Sequence, residues 1–198
     1  MKSFRIIIWA LVAIVLVGLG YMTWQGQDND SNSLVFAQIG GPFSLVNQDG
    51  QPVDQTIFDD KPYAMFFGFT HCPEICPTSL YEMAGWIEAL GPEADKMGFA
   101  FVTVDPERDT PEILKDYVSV FSDKIIGLTG SEEQVQATVK SYGVLAERVP
   151  LEDDDYTMNH TASVFLMNAD GSFRGTISYG EDADVAQEKL SNLIAADS

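Results

Sequence analysis

A nearly unbroken apolar segment, residues 63–69, does most to limit the folds that are open to this chain. A strand with so little polarity is typical of the centre of a sheet that is covered on both faces. Apolar residues at a helical period follow in residues 78–90. A second buried strand at residues 98–104 and a helix over residues 110–121 repeat the pattern. This order of elements predicts a layered α/β domain with a mixed sheet that is flanked by helices.

Shorter signals complete the predicted fold. Asp49 and Gly50 form a turn signal typical of a hairpin between residues 43–46 and 51–54. Thr110 and Ser131 are each placed to cap a following helix. The remaining predicted elements are a helix at residues 131–142, a short strand at 144–149, a hairpin of residues 161–167 and 172–179, and a closing helix at 182–195.

The first part of the sequence resembles a membrane anchor. Residues 6–24 carry no charge and are long enough to cross about 30 Å of hydrocarbon as a helix. Lys2 and Arg5 precede them, which predicts that the N-terminus stays in the cytoplasm and the rest of the chain lies across the membrane. No small-x-small cleavage site follows, so an uncleaved anchor is favoured over a signal peptide. The predicted organisation is an anchor at residues 1–24, a flexible tether at 25–33 and one domain at 34–198.

The charge of the chain limits its partners. Its net charge of −19 repels phosphate backbones, which argues against nucleic-acid binding and favours basic partners or metal ions. We expect the acidic run at residues 152–155 to be an exposed loop. Residues 105–110 follow a predicted strand and are also rich in charge. They are interpreted as solvated and helix-capping, with the alternative that Asp105 orients a ligand or takes part in partner docking at the sheet edge.

The two cysteines, Cys72 and Cys76, lie in one Cys-x-x-x-Cys-Pro element between the first buried strand and its helix. Helical positions i and i+4 share a face, so the two sulfurs can bond to each other or bind one soft metal ion. A disulfide across so short a loop is a poor structural crosslink. Reactivity or metal ligation is therefore the better interpretation, and a nearby helix start favours the thiolate form.

Histidine is the obvious third donor, because thiolates select Cu(I) and imidazole is compatible with it. His71 adjoins Cys72 and points away from it in extended backbone, which weakens it as a ligand. His160 precedes a predicted strand and is expected to approach from a loop. From the pattern alone, His160 remains either a ligand or an ordinary hydrogen-bonded histidine.

Three motifs in order resemble the SCO/SenC family of copper metallochaperones: residues 67–77, residues 103–110 and residues 159–161, the last followed by the turn at 168–171. The similarity extends over residues 36–194. It implies a thioredoxin-like fold on a single N-terminal membrane helix. One departure is Asn159, which stands where an aspartate is common and leaves open how the imidazole tautomer is set.

The resemblance also implies a site and an activity. Copper, as Cu(I) or Cu(II), is expected to be held by Cys72, Cys76 and His160. Asp105 is expected to lie next to these ligands without binding copper itself. The family assembles the dinuclear copper centre of cytochrome c oxidase subunit II, by delivering copper, by reducing the cysteines of that subunit, or both. Subunit II is the expected partner, and other periplasmic copper chaperones are further candidates. The expected location is a bacterial inner membrane, with the domain in the periplasm.

Two enzymatic alternatives use the same cysteines. In a thiol–disulfide oxidoreductase, Cys72 is the expected nucleophile because it is the more accessible of the pair. In a peroxidase of the thioredoxin superfamily, a Pro-x-x-x-Thr/Ser-x-x-Cys element is expected, and residues 63–72 do not contain it. The chain is therefore expected to be a metallochaperone and not an enzyme, unless it reduces disulfides through Cys72 and Cys76.

Overall fold

The computed structural model describes residues 39–152 and 155–196, and within them nine strands and four α-helices. The strands are β1 (Ser44–Asn47), β2 (Pro52–Asp54), β3 (Tyr63–Gly68), β4 (Gly98–Thr103), β5 (Ile125–Thr129), β6 (Ala146–Pro150), β7 (Tyr156–His160), β8 (Val164–Met167) and β9 (Phe173–Ile177). The helices are α1 (Ile75–Leu90), α2 (Pro111–Ser119), α3 (Glu132–Ser141) and α4 (Ala183–Ala196), and short 3₁₀ segments cover Gln55–Phe58 and Gly91–Lys96.

Seven of these strands form one mixed sheet in the order β2-β1-β5-β4-β3-β8-β9. The central strands β3, β4 and β5 are parallel, whereas β8 runs antiparallel to β3 and β1 runs antiparallel to β5. Parallel neighbours need a crossover between them, and α1 and α2 provide the two crossovers. The predicted mixed sheet with flanking helices is confirmed.

The core is built around β3. All six of its residues are buried, as is expected of a strand covered on both faces. Its neighbour β4 is buried from Phe99 to the end of the strand. Helix α1 packs against α4, and α2 packs against β5. The carboxyl ends of β3 and β4 therefore emerge from a closely packed interior.

The helix boundaries differ in one informative place. Helix α1 begins at Ile75, three residues before the predicted start, and so includes Pro77. Proline is tolerated there because the first turn of a helix needs no backbone donor. The other starts agree with the capping signals: Thr110 accepts from Ile113 N, and Ser131 forms a full capping box.

The prediction that His160 approaches from a loop is wrong. His160 is the last residue of β7, which pairs antiparallel with β6 from Ala146↔His160 to Pro150↔Tyr156. The two strands form a sheet of their own, separate from the seven-stranded one. β6 agrees with the short strand predicted at residues 144–149, although it is mostly exposed, whereas β7 is only partly buried and lies where the sequence predicts no strand. Glu152 is exposed, as expected for the acidic run, and residues 153 and 154 lie outside the described ranges.

The predicted anchor at residues 1–24, the tether at 25–33 and the boundary at residue 34 lie outside the described residues. None of the helices within residues 39–152 and 155–196 combines the length and the apolar character that crossing a bilayer requires.

Replacing Gly68 tests how tightly the strand end packs beneath the cysteines. A Cβ at this position would lie 2.8 Å from Cys76 Sγ and 2.8 Å from Phe101 Cε2. We expect Gly68→Ala to lower the free energy of unfolding by about 1–3 kcal/mol, because a closely packed core cannot absorb the added methyl group. Urea denaturation followed by circular dichroism measures the change.

Gly85, on the exposed side of α1, is the matched control, since nothing lies within 4 Å of a Cβ placed there. Gly85→Ala is expected to stabilise the fold by roughly 0.5–1 kcal/mol, because alanine loses less backbone entropy than glycine in a helix. Equal effects of the two substitutions would contradict the close approach at Gly68.

Candidate metal centre

The two cysteines lie where the chain passes from β3 into α1. The backbone N–H of Cys72 donates to the carbonyl of Phe69 (3.2 Å) and closes a turn. Cys76 is the second residue of α1, and its N–H, which has no helical acceptor at that position, donates to the Cys72 sulfur (3.3 Å). Both thiols are free; Cys72 is half-buried, whereas Cys76 is 0% exposed.

The structure brings His160 to this pair from the far end of the sequence. His160 Nε2 lies 3.3 Å from Cys76 Sγ. One donor atom from each of Cys72, Cys76 and His160 lies within 4.8 Å of the other two. The imidazole packs edge-on against Phe66 and Phe69, with ring centroids 6.1 Å and 5.8 Å away. Two sulfurs and one imidazole nitrogen therefore converge without any rearrangement of the backbone.

The tautomer of His160 follows from the hydrogen bond that its other ring nitrogen, Nδ1, makes. His160 Nδ1 lies 3.0 Å from the carbonyl oxygen of Thr161. A carbonyl can only accept, so in the neutral imidazole Nδ1 carries the proton and Nε2 presents its lone pair to the cysteines. Asn159 is exposed and takes no part in this hydrogen bond. The backbone carbonyl thus performs the role for which the sequence offered no carboxylate.

The two thiols hold different protonation states. The hydrogen bond from Cys76 lowers the pKa of Cys72 to about 4, although partial burial acts in the opposite direction. The same interaction with Cys72, together with burial, raises the pKa of Cys76. The pair therefore carries one proton near neutral pH, and that proton stays on the buried sulfur. Cys72 is the thiolate of the pair and the more accessible of the two.

Asp109, which the sequence led us to interpret as a solvated charge, is fully buried, so that prediction is wrong. Its carboxylate accepts from Thr70 N (3.0 Å), Thr70 Oγ1 (2.6 Å) and Thr103 Oγ1 (2.6 Å). Burial raises the pKa of Asp109, and these hydrogen bonds counter part of that rise. The residue ties the start of the cysteine loop to the end of β4.

Asp105 is also buried, at 3% exposure, and is not one of the converging donors. It accepts from Arg108 Nε (2.5 Å) and from the Tyr156 hydroxyl (2.8 Å). The expectation of a solvated charge is wrong here as well, and the alternative, that Asp105 orients a ligand or takes part in partner docking, stays a prediction. Its link to the site is Tyr156, on the strand that carries His160. Sequence reasoning missed Tyr156 because the two partners are 51 positions apart.

His71 lies outside the group, as its position beside Cys72 indicated. It is exposed, and its Nδ1 lies 3.1 Å from Thr70 Oγ1. The converging donors are consequently two soft sulfurs and one borderline nitrogen, a set that suits copper better than hard cations such as Mg²⁺ or Ca²⁺.

Comparison with known proteins agrees with this site. The family model described as SCO1/SenC matches residues 32–195. The chain is 39% identical over 150 residues to "Protein SCO1 homolog 1, mitochondrial" of Arabidopsis thaliana, covering 75% of this chain and 44% of that protein. It is 38% identical over 138 residues to a SCO2-like protein of Rickettsia felis, covering 69% of this chain and 67% of the relative.

Solved structures give the same result for the fold. The structure of Bradyrhizobium japonicum ScoI with copper bound matches with a TM-score of 0.73 at 42% identity, over 78% of this chain and 99% of that one. The structure of Arabidopsis thaliana ScoI with copper bound matches with a TM-score of 0.74 at 36% identity, over 80% and 99% of the two chains. The expected thioredoxin-like fold is confirmed. The family model, the relatives and the converging thiols and imidazole together show that this chain belongs to the SCO1/SenC family.

Proposed function

We propose that this chain carries copper as a cargo, bound by Cys72, Cys76 and His160, and passes it to an acceptor protein. The observation that carries the proposal is the convergence of three donor atoms within 4.8 Å of one another. Thiolate and imidazole donors favour Cu(I). The solved ScoI relatives of Bradyrhizobium and Arabidopsis are described with copper bound, which supports the same cargo here.

The site is built for exchange as well as for binding. Nε2 of His160 already presents its lone pair, and Cys72 is already a thiolate, so only the proton on Cys76 has to leave when the cargo binds. Cys72 is half-buried, which leaves one donor within reach of an incoming ligand from another protein. A chaperone needs such an accessible donor, because copper passes between proteins by ligand exchange.

The proposed acceptor is the dinuclear copper centre of cytochrome c oxidase subunit II. The resemblance to copper chaperones of oxidase assembly supports this choice. We further propose that residues 6–24 anchor the chain in a bacterial inner membrane and that the domain works in the periplasm. The charge-free segment behind Lys2 and Arg5 supports that arrangement.

A second function, reduction of a partner's disulfide, is favoured by the unequal cysteines. An accessible thiolate beside a buried thiol is the arrangement in which the first sulfur attacks and the second resolves the mixed disulfide. The two electrons come from Cys72 and Cys76, which become a disulfide, while both partner sulfurs leave as thiols. The two functions exclude each other in time, since a Cys72–Cys76 disulfide leaves neither sulfur free to bind copper.

Removal of the imidazole tests the copper site. We expect His160→Ala to weaken Cu(I) binding by at least about tenfold, or roughly 1.4 kcal/mol, because one of three donors is lost. Anaerobic competition with a colorimetric Cu(I) chelator measures the affinity. His71→Ala is the matched control and is expected to bind as the wild type does, since His71 is exposed and outside the group. Wild-type Cu(I) affinity in His160→Ala would contradict a copper site made of three donors.

Transfer to the acceptor is tested with the purified copper domain of subunit II. Reduced protein loaded with Cu(I), supplied in excess, is expected to transfer copper to the domain, measured as copper retained by the re-isolated domain, faster than a buffer that fixes the same free copper concentration. Protein carrying the Cys72–Cys76 disulfide is the control and is expected to hold and deliver no copper. Copper transfer at the rate of buffered copper alone would mean that this protein is not the donor.

The proton distribution in the pair is tested by alkylation. We expect iodoacetamide to modify Cys72 and spare Cys76, with a rate that rises through the pKa near 4 and is flat above it, because the thiolate is the reacting form. In Cys76→Ala the hydrogen bond to Cys72 is gone, so the pKa of Cys72 rises and its reaction at pH 6 slows by more than about tenfold. Mass spectrometry of the digested protein gives both rates. A wild-type inflection at pH 8 or above contradicts the shared proton.

A further inference from the structure

The hairpin of β6 and β7 is attached to the domain along one face. Every second residue of a strand points to the same side, so Tyr156 and His160 share this face at the two ends of β7, four residues or about 13 Å apart. Met158 lies between them and packs against the main core. A two-stranded ribbon is marginally stable by itself, so these side-chain contacts determine where the hairpin lies.

Tyr156 lies in a clamp made of two guanidinium groups. Cζ of Arg108 lies 3.7 Å from the centroid of the Tyr156 ring, and Cζ of Arg148 lies 3.4 Å from it. The Tyr156 hydroxyl donates to Asp105 Oδ1 (2.8 Å), and the backbone carbonyl oxygen of Tyr156 accepts from Arg108 Nη1 (3.0 Å). Side chain and backbone of this one residue are therefore both held.

The clamp is fixed to the main sheet. Asp105 lies two residues after the end of β4 and is 3% exposed, and its second carboxylate oxygen accepts from Arg108 Nε (2.5 Å). The Arg108 side chain is 18% exposed, so this ion pair is largely shielded from water. Arg108 also lies 5.8 Å from the ring centroid of Phe69, the same ring against which His160 packs. Arg148, by contrast, is half-exposed and pairs with Glu107 at the surface, a contact of little energetic weight.

We propose that Tyr156 is a positioning residue. Clamped by Arg108 and Arg148 and hydrogen-bonded to Asp105, it fixes the position of β7 against the rest of the domain and so keeps His160 next to the cysteines. The inference rests on the proposed copper site. The opposite end of the hairpin is closed by Thr161 N to Leu145 O (3.1 Å) and by Leu145 N to Thr161 Oγ1 (2.9 Å). Without the clamp, the hairpin is held only at that end, so it can twist about its long axis and turn the His160 ring away from the sulfurs.

The expected consequence is a lower fraction of molecules with all three donors in place. Apparent affinity falls in proportion to that fraction, while the intrinsic affinity of the assembled site stays the same. The cysteine pair belongs to α1 and its preceding loop, so its placement is expected to be independent of Tyr156.

Two substitutions at Tyr156 grade the effect. Tyr156→Leu removes the clamped ring and the hydroxyl, and we expect the Cu(I) affinity to fall by about tenfold, toward that of His160→Ala. Tyr156→Phe keeps the stacked ring and loses only the bond to Asp105, so a fall of about threefold is expected. Tyr179→Leu is the matched control, a 43% exposed tyrosine outside the hairpin, and is expected to bind copper as the wild type does.

A metal-free readout separates positioning from a general loss of structure. In wild-type protein, nuclear Overhauser effects are expected between the His160 ring and the rings of Phe66 and Phe69. In Tyr156→Leu these effects are expected to weaken, while the circular dichroism spectrum stays unchanged. Tyr156→Phe, the milder change, provides the same comparison should the leucine variant fail to fold.

The outcomes for the two proposals are distinct. Wild-type copper affinity and full ring effects in both Tyr156→Phe and Tyr156→Leu would overturn the positioning role. Equal copper binding by wild type and His160→Ala would instead overturn the copper site, and the ring effects in metal-free protein would still decide whether Tyr156 positions the imidazole.

Discussion

The antiparallel pairing of β8 with β3 is the constraint on which the whole site depends. β3 runs toward the cysteines, and β8 runs back along it from Val164, which lies opposite Phe66. The chain must therefore arrive at this edge of the sheet just before β8 begins, and His160 stands four residues upstream. A parallel β8 would begin at the opposite edge, roughly 20 Å away. Sheet topology thus brings His160 to within hydrogen-bonding distance of Cys76, a residue 84 positions away.

Two buried carboxylates, those of Asp105 and Asp109, fix the two segments that carry the donors, namely the cysteine loop and β7. Asp109 ties the cysteine loop to β4 through Thr70, and Asp105 ties β7 to β4 through Tyr156 and Arg108. Burying carboxylates is costly unless every oxygen finds donors, and here each carboxylate has them. Such a network adds little net stability compared with an apolar core. Its contribution is to fix geometry, so that little reorganisation is needed when a ligand binds.

Much of this arrangement was predictable from the sequence, and the parts that were not share a cause. The apolar run of residues 63–69, the caps at Thr110 and Ser131 and the mixed sheet all follow from local pattern. β6 is predicted as the short strand at residues 144–149, but β7 is not, because it is short, only partly buried and contains few apolar side chains. The buried acids after β4 resembled solvated charges because two of their partners, Thr70 and Tyr156, come from distant segments. His160 pointed to the site only through the family motif, since nothing local distinguishes it from an ordinary histidine.

The unequal sulfurs set an order for the proposed exchange. Cys72, a half-buried thiolate, binds the incoming copper first, and Cys76 binds it only after losing its proton to solvent. Release begins at the same sulfur: an acceptor thiolate replaces Cys72 at the accessible side, and Cys76 then regains its proton, because its raised pKa makes the thiol the stable form. Reprotonation of a buried sulfur therefore helps to drive the cargo outward. Oxidation uses the same asymmetry, because the Cys72 thiolate is also the sulfur that attacks a disulfide, and the product has no free sulfur for copper.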